Sequence, residues 1–349
     1  FPVNQRRGVR WNARKAFLQP ARKRPNLSIV TGAHVETLVL DGLRVTGVTW
    51  RQDGRRVTAL AGAEVVLAAG AIGTPQILQL SGLGPAEKLI AAGVPPALDM
   101  PGVGANLQDH LQLRTIFRIE GARTLNDRAR TLLGKVGIGL EYLLFQSGPM
   151  AMAPSQLGIF ARSGPEHETA NIEYHVQPLS LDAFGQPLHP FPALTVSVCN
   201  LRPESRGSVM ITCPDPRAAP SIRPNYLSTD GDRRVAAASI RHARRLMQTR
   251  AMRPYRPFEM KPGPQIQHED GLVRAAGDIG TTIFHPVGTA RMGSDPAAPV
   301  RPDLLVRGVG GLSVADASVM PTIVSGNTHA PVTMIAERAA DLILARAKG

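Results

Sequence analysis

The sequence is poor in cysteine, in aromatic residues and in long apolar runs. Its 349 residues include two cysteines, Cys199 and Cys213, which excludes a disulfide framework. Two reduced thiols favour a reducing, cytoplasmic compartment. No stretch approaches the roughly 18 apolar residues of a membrane span, so we expect no integral span and at most a peripheral attachment to a membrane. No metal-ligand spacing occurs, so the sequence predicts no metal site.

Acidic residues are also scarce, with 27 Asp and Glu against 40 Lys and Arg and a formal net charge of +13. The basic residues are densest near the start of the chain, at Arg6, Arg7, Arg10, Arg14, Lys15, Arg22, Lys23 and Arg24. A positive balance raises the possibility of nucleic acid or anionic membranes as partners. Because no nucleic-acid reading motif accompanies the cluster, we favour a solvated or covered basic face and expect no nucleic-acid partner.

The pattern of apolar residues predicts a buried parallel strand followed by a helix near position 70. After Glu64, residues 65–70 form a continuous apolar run that ends in glycine. The following helix is expected to start at Thr74 as its cap, with Pro75 at its first position, and to end at Gly82. Strand, glycine turn and helix in this order are typical of a ligand-binding crevice at the C-terminal edge of a sheet.

Further along, the sequence predicts a separate sheet with covering helices and then a return to the first type of domain. Residues 193–200 and 208–213 are predicted to be antiparallel strands joined through residues 203–207. A helix is expected from Asp232 to Gln248, on an apolar stripe. Residues 312–316 predict a short strand ending in Asp316, and Pro331 is expected to open an amphipathic helix.

Three segments carry the chemistry. The first is the glycine-rich turn and helix of residues 70–84, which lets backbone approach a flat cofactor or simply forms a tight turn. The second, residues 284–293, places His285 beside Pro286 on an irregular segment, where it is either a proton acceptor or a structural histidine. In the third, Asp316 either accepts from a ribose or shapes a turn. The free N–H groups before Pro331 favour a negatively charged group.

These segments closely resemble the signatures of the glucose-methanol-choline family of flavin-dependent alcohol oxidoreductases. The similarity continues in residues 101–110, 201–208 and 224–226 and covers nearly the whole chain. It implies FAD as cofactor and an α/β (α+β) fold, in which an FAD-binding Rossmann-like domain is interleaved with an antiparallel-sheet substrate-binding domain. It also implies domain boundaries: residues 1–111 and 284–349 belong to the FAD-binding domain, and residues 112–283 belong to the substrate-binding domain.

The resemblance also implies roles for individual residues. His285 is the expected catalytic base, and Asn327 matches the position of the family's second catalytic group. The segment of Gln108, Asp109 and His110 is expected to form part of the flavin or substrate wall. Residues expected to bind the cofactor are Val35, Gly70, Thr74, Asn106, Asp316, Ala317, Asn327, Thr328, His329 and Pro331.

The family's Gly-x-Gly-x-x-Gly turn for the cofactor pyrophosphate is not present in these 349 residues. We therefore expect that turn upstream of Phe1, and we expect the isolated chain to be inactive. The predicted reaction is hydride transfer from a small-molecule alcohol to FAD, with a quinone, a carrier or oxygen as electron acceptor. The alternatives are an oxidase that releases hydrogen peroxide, a basic nucleic-acid-binding protein and an inactive fragment. The scarcity of aromatic residues gives no indication of a choline cage.

Overall fold

The computed structural model describes residues 3–183 and 185–347. The chain forms two compact units, and each is built from three segments. The first unit contains the chain up to Ile29, Leu111–Asn200 and Arg233–Thr281. The second unit contains Val30–His110, Leu201–Asp232 and the chain from Thr282 onward. In the described part of the chain, no helix combines the length and apolar character needed to cross a bilayer.

Eight α-helices and seventeen strands are numbered in chain order over the described residues. The helices are α1 Gln19–Ala21, α2 Gly70–Leu80, α3 Ala86–Ala91, α4 Leu125–Arg130, α5 Leu132–Phe145, α6 Asp230–Met247, α7 Glu269–Ile279 and α8 His329–Arg346. The strands are β1 Gln5–Arg6, β2 Val9–Arg10, β3 His34–Asp41, β4 Arg44–Gln52, β5 Arg55–Leu60, β6 Val65–Leu67, β7 Leu83–Gly84, β8 Leu98–Asp99, β9 Leu111–Arg118, β10 Leu157–Ala161, β11 Ile172–Gln177, β12 Ala193–Asn200, β13 Ser208–Met210, β14 Ser221–Arg223, β15 Phe258–Lys261, β16 Gly280–Thr282 and β17 Leu312–Val314.

The first unit is organised around an antiparallel sheet with the strand order β10-β11-β12-β9-β15. Alternation along β11 points Tyr174 to one face and its neighbours Glu173 and His175 to the other. The Tyr174 hydroxyl donates to the carbonyl of Ser239 on α6 (3.1 Å) and lies 2.8 Å from Nδ1 of His242. Burial raises the pKa of Tyr174, so its proton stays available for these contacts.

The second unit holds the glycine-rich turn. Strands β3, β4 and β5 form an antiparallel meander, and β6 pairs in parallel with β17. Apolar side chains from these elements, such as Leu38, Val45, Leu312 and Val314, share one core with Leu78 of α2. The carboxyl ends of β6 and β17 therefore lie side by side, with α2 starting directly beyond β6.

Helix α2 begins at Gly70, five residues before Pro75, the predicted first helical residue after the cap Thr74. Gly70, with a φ of +79°, makes the turn, and Pro75 lies inside the helix. A proline there leaves the carbonyl four residues earlier, on Ala71, without its helical donor. The Thr289 hydroxyl donates to that carbonyl at 2.7 Å, which explains why the helix tolerates Pro75. The end is as predicted, because Leu80 is the last helical residue and Gly82 follows with a φ of +81°.

Other local predictions were wrong in instructive ways. Strand β13 pairs with β14, and not with β12 as the sequence suggested. Strand β6 is not buried on both faces, since Val66 is 39% exposed. The two compact units group residues 1–29 and 201–232 differently from the predicted domains, and the domain limits stay a prediction. Within the second unit, Gln79 fixes β13 to α2 by donating to the Val209 carbonyl and accepting from the Ile211 amide. Cofactor and substrate roles for the two units stay predictions.

Candidate active site

His285 lies in the second unit on an irregular segment that the backbone holds firmly. Its side chain is 9% exposed. The preceding residue, Phe284, adopts a φ of +64°, a conformation that is rare for a bulky side chain. The His285 amide donates to Oδ1 of Asp109 at 3.0 Å. Strained backbone that neighbouring contacts stabilise is frequent at functional sites, where it directs a side chain.

The protonation pattern of the His285 ring follows from its buried neighbour, His110. Nε2 of His110 lies 3.3 Å from the carbonyl oxygen of Leu201, which can only accept, so this nitrogen carries the proton. Nδ1 of neutral His110 is then an acceptor, and it lies 3.1 Å from Nδ1 of His285. His285 therefore donates through Nδ1, and its Nε2 is an acceptor. The two rings meet edge to face, at an angle of 82°.

Asn327 lies beside Nε2 of His285. Its Nδ2 is 3.4 Å from Nε2 of His285, and Asn327 itself is exposed. The segment before it is fixed by Gln108, which donates to the Pro321 carbonyl (3.1 Å) and accepts from the Ile323 amide (3.1 Å). The structure thus brings together the two residues predicted to be catalytic.

Asn106 and Asp109 support the same segments from the other side. Asn106 donates from Nδ2 to the carbonyls of Gly288 and Pro321, each at 3.2 Å. Oδ2 of Asp109 accepts from the Tyr226 hydroxyl at 2.5 Å. Burial and the adjacent Asp109 carboxylate both raise the pKa of Tyr226, so the phenol stays a donor. The residues predicted to form a wall therefore form hydrogen bonds to His285 or to the backbone of neighbouring segments.

Asp316 shapes the turns at the ends of the paired parallel strands. Its Oδ2 accepts from the Thr74 hydroxyl at 2.5 Å and from the Gly70 amide at 2.9 Å, while Oδ1 accepts from the Ser318 amide at 2.8 Å. The carbonyl of Ala317 accepts from the Gly288 amide at 3.2 Å. Of the two readings of Asp316, these contacts favour turn formation. They also place three predicted cofactor residues, Gly70, Thr74 and Asp316, in one cluster.

The remaining predicted cofactor residues lie at two further places in the same unit. Val35 lines a largely apolar cleft of about 490 Å³, together with Val48, Leu60, Ala68 and Ala69. Thr328, His329 and Pro331 form the first turn of α8, which has no side-chain cap. Thr328 is buried, whereas His329 is exposed. The structure thus places these residues in the apolar cleft and at the start of α8.

Sequence reasoning missed a buried polar group in the first unit. A carboxylate oxygen of Glu173, a ring nitrogen of His175 and the sulfur of Cys199, all atoms of the kind that bind metals, lie within 4.8 Å of one another. Glu173 is fully buried, and burial raises the pKa of its carboxyl to about 7. Two polar residues at alternate positions of a strand, Glu173 and His175, were the available signal. The role of His110 in setting the tautomer of His285 was also missed, although the residue itself was singled out.

The chain is similar throughout to flavin-associated oxidoreductases. Two sequence models of the family described as GMC oxidoreductase match residues 1–112 and 203–336. An alcohol dehydrogenase [acceptor] from Pseudomonas putida is 37% identical over 99% of this chain and 63% of its own length. An oxygen-dependent choline dehydrogenase from Staphylococcus aureus is 38% identical over 99% of this chain and 61% of its own length. The chain therefore spans about three-fifths of these curated relatives.

A solved structure of formate oxidase from Aspergillus oryzae, from a study of FAD modification, superposes with a TM-score of 0.91 at 26% identity. The superposition covers 99% of this chain and 64% of the oxidase. The predicted mixed α/β fold class and the predicted family are thereby confirmed. On the matches at both ends and the shared fold, this chain belongs to the GMC oxidoreductase family.

Proposed function

We propose that the protein oxidises an alcohol to an aldehyde or ketone, with FAD as hydride acceptor. The observation that carries the proposal is the acceptor nitrogen Nε2 of His285, which lies 3.4 Å from the side-chain amide nitrogen of Asn327. A neutral imidazole with a fixed tautomer is a general base, and an amide N–H beside it is a hydrogen-bond donor for developing negative charge. No such pairing is needed for binding nucleic acid.

Three features of the second unit fit an FAD molecule. The apolar cleft that Val35 lines suits an aromatic base, and a side chain added at Gly70 would meet no atom within 4 Å, so the backbone there is open to a close approach. The uncapped N-terminus of the 18-residue helix α8 offers the amides of His329 and Ala330 to a negatively charged group. Thr74 and Asp316 would hold the turn against the cofactor from behind.

FAD, when bound, supplies the hydride acceptor that the protein itself lacks. The alcohol oxygen would lie between His285 and Asn327 and replace their direct contact. The hydroxyl would donate its proton to Nε2 of His285, and its oxygen would accept a hydrogen bond from the side-chain amide of Asn327. As Nε2 gains the proton, His285 becomes cationic. Its Nδ1–H stays bonded to neutral His110, which is a favourable partner for the cation.

The roles of the two residues are separable by rapid-mixing reduction of the flavin under anaerobic conditions. Replacing the base, His285→Ala, is expected to slow reduction by about 10²-fold or more. Asn327→Ala is expected to slow it by about 10²-fold, since one donor to the developing alkoxide is lost. A matched control is His268→Ala, which removes an exposed histidine of the first unit. Reduction of the His285→Ala protein at the wild-type rate would exclude His285 as the base.

The substrate class we propose is a primary aliphatic or aromatic alcohol. The choline and alcohol dehydrogenase relatives are almost equally similar to this chain, so identity does not favour a quaternary ammonium substrate. Aromatic residues make up 4% of the sequence, which gives few partners for a cation cage. A peroxide assay in air distinguishes an oxidase from a dehydrogenase that passes electrons to a quinone or carrier. We also propose a cytoplasmic location, because two reduced thiols in a chain of this length are typical of a reducing compartment.

A further inference from the structure

Helix α5 of the first unit exposes an apolar stripe. Six apolar side chains on one side of this helix are between 49% and 85% exposed: Leu132, Leu133, Val136, Leu140, Leu143 and Leu144; Phe145, at the end of the helix, is 73% exposed outside this group. At 3.6 residues per turn they fall within a sector of about 120°. Soluble proteins rarely leave an apolar surface of this continuity in water, and such surfaces mark sites of interaction. We call these six residues the apolar stripe.

Contacts on the opposite side of helix α5 attach the helix to the rest of the first unit. Ile138 is buried, and Arg128 donates a hydrogen bond to the Glu141 carboxylate at 3.0 Å, which forms an ion pair. The helix is capped at its start, where the Thr131 hydroxyl accepts from the Gly134 amide at 3.0 Å. Gln146 ends it in a left-handed conformation. The outward direction of the stripe is therefore a built feature of the fold.

A basic segment adjoins the carboxyl end of the stripe. We define it as residues 3–24, which contain eight Lys and Arg and no Asp or Glu. Its hairpin packs there, because the Gln5 side chain donates to the carbonyl of Ala151 at 2.8 Å. The buried Gly8 approaches the backbone of Gln146 so closely that a Cβ would lie 1.8 Å from its oxygen. Arg6, Arg7 and Arg10 on this hairpin are exposed.

We propose that the apolar stripe and the basic segment together bind the surface of a bilayer that contains acidic phospholipids. Exposed leucines on one side of a helix beside a cluster of cations have the two components of interfacial binding, apolar insertion and attraction to anionic headgroups. Nucleic acid would use the cations and leave the leucines in water. A second copy of this chain would bring an identical cluster, and the like charges would repel. This inference is independent of the proposed oxidation.

The test is the partitioning of the intact protein onto vesicles of phosphatidylcholine, with and without phosphatidylglycerol. The wild type is expected to bind the vesicles with phosphatidylglycerol and to be released by salt. Leu133→Gln with Leu144→Gln is expected to weaken binding at least about 30-fold. The matched control, Ile90→Gln with Leu344→Gln, changes two side chains of the second unit that are 64% and 60% exposed, and binding is expected to be unchanged.

A charge variant completes the design. Arg6→Gln with Arg7→Gln and Arg10→Gln is expected to weaken binding about 100-fold in total, at about fivefold for each basic residue near the surface. Circular dichroism and thermal unfolding confirm that each variant folds. The proposal is overturned if the wild type fails to bind acidic vesicles, or if neutral vesicles bind it equally well. It is also overturned if the leucine variant binds like the control and instead shifts the protein from dimer to monomer.

Discussion

Replacing His110 tests whether this residue acts on the reaction through His285. In the structure, the His110 ring accepts a hydrogen bond from Nδ1 of His285 (3.1 Å) and is held by the carbonyl of Leu201 (3.3 Å). The bond strengthens when His285 becomes cationic, and hydrogen bonds to charged groups contribute about 1.5–3 kcal/mol. His110→Phe keeps a ring in the site and removes the acceptor. We therefore expect flavin reduction to slow by about 10- to 150-fold, at a factor of ten for each 1.36 kcal/mol.

A second variant separates the hydrogen bond from packing. The side-chain oxygen of His110→Asn can occupy the place of Nδ1 and accept from His285, although the contact to Leu201 is lost. We expect this variant to recover a substantial part of the rate that His110→Phe loses. The assay is anaerobic rapid mixing from pH 6 to pH 9, because loss of the fixed tautomer should alter the pH profile as well as the rate. Wild-type reduction in His110→Phe, or equal rates in the two variants, would refute the reasoning.

Two further predictions concern stability. Burial raises the pKa of Glu173 from 4.5 to about 7, so between these values the folded protein holds a proton that the unfolded chain has released. Stability should fall as the pH rises through this window, by up to about 3 kcal/mol, and Glu173→Gln should abolish that fall in denaturant titrations at pH 5 and pH 8. An alanine Cβ at Gly104, which has a φ of +82°, would lie 2.2 Å from the Val209 carbonyl oxygen, so Gly104→Ala should lose more than about 2 kcal/mol. Gly137→Ala, with open space in α5, should instead gain about 0.5–1 kcal/mol, and an opposite order of melting temperatures would contradict this account.

Local signals in the sequence identified the elements whose pattern is strong over many residues. The helix predicted at Asp232–Gln248 is observed at Asp230–Met247, and the strand predicted at residues 193–200 is observed over that range. The helix predicted to open at Pro331 starts two residues earlier, at His329. Capping and periodicity are properties of neighbouring residues, so one sequence is sufficient to detect them.

Features that depend on distant partners were not accessible in the same way. The start of α2 was misplaced because the tolerance of Pro75 depends on a hydroxyl from Thr289, more than two hundred positions away. The pairing of β13 with β14 was missed since the register of short strands depends on tertiary context. Helix α5 was overlooked because its three glycines obscure the stripe, although Thr131 is a recognisable cap.

The candidate site shows the same division. His285 and Asn327 were predicted from a resemblance, and the structure places Nε2 of the one 3.4 Å from the amide of the other. The sequence offered no means of deciding which nitrogen of His285 carries the proton. That depends on His110 and the Leu201 carbonyl, which meet only in the folded chain. Likewise, the contacts of Asp316 with Thr74 and Gly70 became apparent only when the two parallel strands were paired.

The visible absorption spectrum of the flavin is the decisive test of the proposed oxidation of an alcohol with FAD. The intact protein, as its gene encodes it, is mixed with a panel of primary alcohols under anaerobic conditions. We expect a flavin spectrum that bleaches with at least one alcohol in the wild type and bleaches at least about 10²-fold more slowly in His285→Ala. A folded protein that stays colourless after reconstitution with FAD, or a bound flavin that no alcohol reduces, would contradict the account.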